Sequence, residues 1–312
     1  MQNFQINLDN PLNVYNPGQT VSGHLQLRSN KSLKARNIKI EVLGVSKAFW
    51  SESRTSVDGQ GRTIIHTIHL SSEHKLLDEK IVVWERENKE RFPEGDSLFP
   101  FKFHIPEGLP PTFKSQNGNI SYRLEARIDV PWWFDKTASM SFEVAPFCDL
   151  NLISDSDDSQ EKEEHKSYGF FVDEKVGIKV HLDKKAYAIG EKIKCIVEAN
   201  NHPNRFVKQI ETSLVRTVEC LAQGARRREY RNLVMLKDHL FDQVDTTAFN
   251  IKEVLQVPET CPSVKTANLS VSYNVKVNFR INGKLWDNHP DILLPVTIGT
   301  IPIGPGSIES CL

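Results

Sequence analysis

No apolar run in this chain of 312 residues approaches the roughly 20 residues that a helix needs to cross a bilayer. A helical membrane protein is therefore not expected. The opening residues, Met-Gln-Asn-Phe-Gln-Ile-Asn-Leu-Asp, have neither a basic start nor an apolar stretch, which argues against a secretory signal. Cysteine is sparse: five occur, an odd number with no Cys-x-x-Cys pair, a usage that suits a reducing compartment better than a disulfide framework. Without a secretory signal, the sequons at Asn30, Asn119 and Asn268 are read as chance matches. Net charge is also nearly missing. A formal value of −1 leaves no global field to hold nucleic acid or an anionic membrane, so nucleic acid is not an expected partner and any membrane association is peripheral. A cytoplasmic protein is expected.

Signatures of catalysis are absent as well. The chain has no nucleophile elbow, no phosphate-binding glycine loop and no zinc spacing. His66 and His69 are three apart on what reads as a strand; an odd spacing sends them to opposite faces, which argues against a shared metal. The expectation is a protein that is not an enzyme and carries no cofactor.

What the sequence does contain is alternation, and it occurs twice. Ile120, Tyr122, Leu124, Ala126, Ile128 and Val130 alternate with polar or charged residues, as do Val271, Tyr273, Val275, Val277, Phe279 and Ile281. Period two is the mark of a strand with one buried face. Each run carries Ser-Tyr at the same phase, and Pro111 and Pro262 precede the two tyrosines by the same distance. The openings of the halves repeat too. Tyr15-Asn16-Pro17-Gly18-Gln19 leads into Val21, Gly23, Leu25 and Leu27, while Tyr187-Ala188-Ile189-Gly190-Glu191 leads into Ile193, Cys195, Val197 and Ala199. A glycine three after the tyrosine is a turn signal, since glycine readily takes positive φ. On this phase Cys195 is a small buried hydrophobe.

The length is about twice a usual domain of roughly 100–150 residues. No convincing amphipathic helix appears, and the charged stretch Leu76 to Phe92 is left open between helix and strand. Strands without helical crossovers pair antiparallel, and their apolar faces must meet another sheet. The predicted fold is all-β: two tandem antiparallel β-sandwich domains of immunoglobulin-like architecture. Boundaries are expected at 1–150 for the first domain, 151–168 for an acidic linker, 169–303 for the second domain and 304–312 for a flexible tail. Residues 154–166 contain no apolar side chain and are expected to form a solvated tether. Gly-Pro-Gly from Gly304 marks the tail.

Several motifs in order carry a family resemblance over nearly the whole chain. Val-Tyr-Asn-Pro-Gly-Gln-Thr-Val-Ser-Gly (14–23), Ile-Glu-Val-Leu-Gly-Val-Ser-Lys-Ala-Phe-Trp (40–50), Phe-Pro-Phe-Lys-Phe-His-Ile-Pro-Glu-Gly-Leu-Pro-Pro-Thr-Phe (99–113) and Pro-Trp-Trp-Phe (131–134) resemble the N-terminal domain of the arrestin-domain-containing proteins, or α-arrestins. Tyr-Ala-Ile-Gly-Glu-Lys-Ile (187–193), Val-Pro-Glu-Thr-Cys-Pro-Ser (257–263) and Leu-Pro-Val-Thr-Ile-Gly-Thr-Ile-Pro-Ile (294–303) resemble that family's C-terminal domain. The resemblance implies two arrestin-like domains. It also implies a cytoplasmic adaptor that binds the cytosolic tails of membrane receptors or transporters and links them to endocytic, sorting or ubiquitination machinery at the plasma membrane or endosomes. The alternative is a constitutive subunit of a retromer-like sorting coat.

The departures from the family matter for mechanism. Members typically carry Pro-Pro-x-Tyr motifs that bind WW domains of ubiquitin ligases; here the one Pro-Pro, Pro110-Pro111-Thr112-Phe113, has Phe where Tyr is needed and reads as structural. A ligase partner would then be indirect. A thioredoxin-binding member uses a cysteine between the middle strands of its second domain, and residues 221–260 contain none, so that activity is not expected here.

Two surface features read as candidate sites. Arg226, Arg227 and Arg228, with Arg231 close by, form the densest positive cluster and suit a phosphorylated tail, an acidic partner or lipid head groups through charge-assisted hydrogen bonds. The end Ser310-Cys311-Leu312 has the form of a PDZ ligand, through Ser310 and Leu312.

Overall fold

The alternating runs become strands, and their apolar phase becomes the core. The computed structural model describes residues 3–87, 91–131, 136–168, 174–201, 207–240, 248–281 and 291–304. Two units emerge: Met1–Phe147 with Cys220–Arg227 and Lys265–Leu269, and the remainder, Cys148–Glu219, Arg228–Val264 and Ser270–Leu312.

In the first unit the strands are β1 (Asn3–Leu8), β2 (Val14–Tyr15), β3 (Thr20–Ser29), β4 (Asn37–Val57), β5 (Thr63–Glu85), β6 (Gly95–His104), β7 (Phe113–Lys114), β8 (Gly118–Asp129) and β9 (Lys136–Val144). They form one sheet of order β1-β3-β6 and another of order β2-β9-β8-β4-β5, with β7 against β8. Leu25 and Leu27 from one sheet, and Ile38, Ile40, Ile120, Leu124 and Ile128 from the other, are fully buried. Phe103 of β6 meets Phe142 of β9 with ring centroids 5.7 Å apart, so the two apolar faces close on one another as a sandwich. The stretch Leu76 to Phe92 resolves in favour of strand as far as Glu85.

Within this unit Asn268 is buried and satisfied. It accepts from the Ser46 hydroxyl at 2.7 Å and donates to the carbonyls of Ser46 at 3.0 Å and Ser72 at 3.1 Å. The sequon there presents no accessible amide.

The second unit repeats the plan. Its strands are β10 (Gln160–Tyr168), β11 (Glu174–Leu182), β12 (Ala186–Ala188), β13 (Lys192–Asn200), β14 (Val207–Ala222), β15 (Ala225–Leu240), β16 (Ala248–Gln256), β17 (Val264–Lys265), β18 (Leu269–Ile281) and β19 (Asp291–Gly299), the ends of β14, β15, β17 and β18 that fall in Cys220–Arg227 and Lys265–Leu269 counting with the first unit. The sheet orders are β10-β11-β13-β16 and β12-β19-β18-β14-β15, with β17 against β18. The correspondence reaches single hydrogen bonds. β2 runs parallel to β9 and β12 parallel to β19. Gly18 and Gly190 have φ of 82° and 84°, a region that favours glycine. The Gln19 side chain accepts from the Asn16 amide at 2.8 Å, as Glu191 does from Ala188 at 2.9 Å.

The expected tether differs. Leu150 sits in a short 3-10 turn capped by Asp149 and packs against Ala186 and Ala188. The Cys148 amide donates to the Thr300 hydroxyl at 2.8 Å. From Gln160 the chain is not a tether at all: β10 pairs with β11 over the whole span Gln160↔Leu182 to Tyr168↔Glu174. The lack of apolar side chains does not exclude a strand here. An edge strand contributes a backbone ladder and can carry charge on both faces, and Lys179 reaches Glu161 across the pair at 2.8 Å. The C-terminal tail is described only to Gly304.

Candidate functional site

The arginine cluster lies on the hairpin β14–β15. Gln223 and Gly224 form its turn, with φ of 50° and 79°; positive φ at both central positions matches the right-handed twist of the flanking strands. In a strand, alternate side chains leave opposite faces. Arg226 and Arg228 therefore share one face while Arg227 and Arg231 share the other, and all four residues are exposed. The structure does not gather them into a single patch.

The Arg228 face is the more elaborate. Thr217 and Glu219 of β14, Arg228 and Tyr230 of β15, and Ser270, Ser272 and Asn274 of β18 line a shallow open depression of about 290 Å³. The Arg228 guanidinium donates from Nε to Glu219, and this bond, with a further one to Tyr230, holds its charge more firmly than usual. Tyr230 is 67% exposed. The depression offers one paired cation, hydroxyls and amides that both donate and accept, and an aromatic face. That set suits a short extended polar segment or a single anionic side chain better than an apolar ligand. Sequence reasoning found Arg228 but missed Glu219, Tyr230 and the β18 residues. The signal was present in the polar phase of Leu269–Ile281, which was used only to locate the buried phase.

Other sequence features fall elsewhere. Ser310 and Leu312 lie outside the described residues. His69 Nδ1 is 2.9 Å from the Ser51 hydroxyl and His66 Nδ1 is 3.5 Å from that of Ser56, on opposite faces of β5. Among the described residues no group of three His, Cys, Asp or Glu side chains is placed to hold a metal, and no helix is long and apolar enough to cross a membrane. Phe113 of Pro-Pro-Thr-Phe is buried, and Thr112 exchanges backbone and side-chain hydrogen bonds with Val144; this segment is part of the wall of the sandwich. Cys195 is fully buried, and burial pushes its thiol up to about 12.

Comparison with known proteins decides the family. The model of the arrestin (or S-antigen) N-terminal domain matches residues 4–151 and that of the C-terminal domain residues 172–303. The chain belongs to the arrestin family. Arrestin domain-containing protein 4 of Mus musculus is 26% identical over 305 residues, covering 94% of this chain and 70% of the mouse protein. Arrestin domain-containing protein 17 of Caenorhabditis elegans is 23% identical over 319 residues, covering 97% and 71%. Thioredoxin-interacting protein of Homo sapiens is 24% identical over 306 residues, covering 96% and 75%. Both arrestin lobes are thus matched, and an adaptor-like role follows at the level of the family.

Proposed function

We propose that this arrestin-family protein is a cytoplasmic adaptor, recruited to the plasma membrane or endosomes, that holds cytosolic tails of membrane receptors or transporters and presents them to endocytic, sorting or ubiquitination machinery. The observation that carries the reading is the match to both arrestin domains. The Arg228–Tyr230 depression supplies a docking place whose donors and acceptors suit an extended, acidic or phosphorylated tail. A ubiquitin ligase enters this reading as an indirect partner, the Pro-Pro of residues 110–113 having Phe113, which is buried, where Tyr is needed. Thioredoxin does not enter it, because residues 221–260 contain no cysteine.

The test is affinity capture of the full chain from detergent extract, beside a variant carrying Arg228→Ala and Tyr230→Ala. The expected result is enrichment of membrane receptors or transporters by the parent chain and their loss from the variant. One stoichiometric coat complex with no membrane cargo would overturn the adaptor reading in favour of a structural sorting subunit.

A further inference from the structure

β4 and β5 outrun their sheet. β8 pairs with β4 only as far as Ala48↔Gly118, whereas β4 and β5 stay paired out to Val57↔Thr63. Trp50 and Leu70, directly opposite one another, are the last buried pair. Beyond them the hairpin is a two-stranded arm exposed on both faces. Val57 is 67% exposed, Ile64 46% and Ile65 70%. A two-stranded ribbon is marginally stable alone in water, so an arm of this length bearing bare isoleucines stands to gain from a further strand.

The outer edge of the arm differs from most other sheet edges among the described residues. From Glu161 to Lys166 every residue of β10 is ionisable, and β15 carries Arg226, Arg227, Arg228, Glu229 and Arg231. β16 carries Lys252 and Glu253, and β6 has Pro100 and Lys102. β2 and β12 are two and three residues long, and β1, uncharged as well, ends after six residues. Charge, proline and shortness are the usual guards against strand addition. On β5 charges start only at Glu73. The stretch Thr63-Ile64-Ile65-His66-Thr67-Ile68-His69-Leu70-Ser71 has no Asp, Glu, Lys, Arg, Pro or Gly, and it is rich in strand-forming residues.

We propose that the Thr63–Ser71 edge of β5 pairs antiparallel with the same edge of a second copy about a two-fold axis, merging two arms into a four-stranded sheet. Self-pairing satisfies what the edge asks of a partner. It brings no charge against another charge, sets β-branched and aliphatic side chains side by side, and is isologous, so it closes as a dimer and does not propagate.

The test is sedimentation equilibrium of the full chain across roughly 1–100 µM, the range of a weak specific interface, with hydrogen exchange on residues 63–71. The parent chain is expected to dimerise with concentration, and the edge amides to slow in step. Ile65→Lys with Thr67→Lys, and separately Ile65→Glu with Thr67→Glu, put like charges across the axis, and each is expected to be monomeric. Mixed in equal amounts, the two variants are expected to recover the dimer, which no folding defect would do. A parent chain monomeric throughout overturns the proposal, as does a lysine variant that still dimerises, or edge protection that arises only when a different protein is bound.

Discussion

The Tyr122 hydroxyl donates to the carbonyl of Pro110 at 2.6 Å, and Tyr273 repeats this to Cys261, again twelve residues upstream. Each bond ties a long strand to the proline-bearing loop that precedes it, which is why the two tyrosines stand at one distance from their prolines in both halves. Tyr122→Phe and Tyr273→Phe each leave a carbonyl short of its donor. Each is expected to cost about 1–2 kcal/mol, read from the midpoint of urea unfolding at unchanged slope.

Burial raises several acids of the second unit. Tyr273 moves from 10.0, and Cys195 and Cys261 from 9.0, to about 12. Folding thus favours the neutral forms, and that stabilisation is complete below the unfolded values and lost as pH rises through the folded ones. Melting temperature is expected to fall from about pH 9 upward, the part beginning near pH 10 shrinking in Tyr273→Phe but persisting through Tyr122 and Tyr187, whose hydroxyls burial raises as well. Thermal scans at stepped pH check it.

Gly44 lies against Tyr122. A Cβ there would sit 2.6 Å from Tyr122 Cε1 and 2.9 Å from Leu77 Cβ, beside a register shift in the β4–β5 pairing. Gly44→Ala is expected to destabilise by about 1–3 kcal/mol through overpacking, measured by the same unfolding series.

Strand alternation makes the arginines separable. Arg226→Ala with Arg228→Ala is expected to weaken a doubly phosphorylated tail peptide roughly tenfold, and Arg227→Ala with Arg231→Ala less than about twofold. Fluorescence anisotropy at two salt concentrations reads both. Equal losses from the two pairs would point to diffuse attraction by the whole hairpin.

Residues 160–166 offer the plainest test of the edge strand β10. Their amides, as a peptide-averaged rate, are expected to exchange more slowly than those of 154–159, where the chain turns before the strand begins. Hydrogen exchange followed by mass spectrometry resolves the two segments. Equal, fast exchange would restore the tether.

Most of the fold was legible because alternation reports burial directly: Ile120 to Ile128 and Val271 to Ile281 are buried on the phase read from the residues. β10 was not legible, because a strand held by its backbone at the rim of a sheet needs no apolar phase. The depression was half legible. Arg228 stands out in a triplet, but its lining comes from three strands whose order in the sheet, β18-β14-β15, is a fact of topology that local pattern does not carry.

The hairpins β4–β5 and β14–β15 fill the same slot in the duplicated topology, yet one ends in bare isoleucines and the other in arginines. A ligand chosen by the first is ill suited to the second. Duplication has thus given one chain two hairpins of opposite chemistry in equivalent places, so that each can be rewritten by mutation without altering the other.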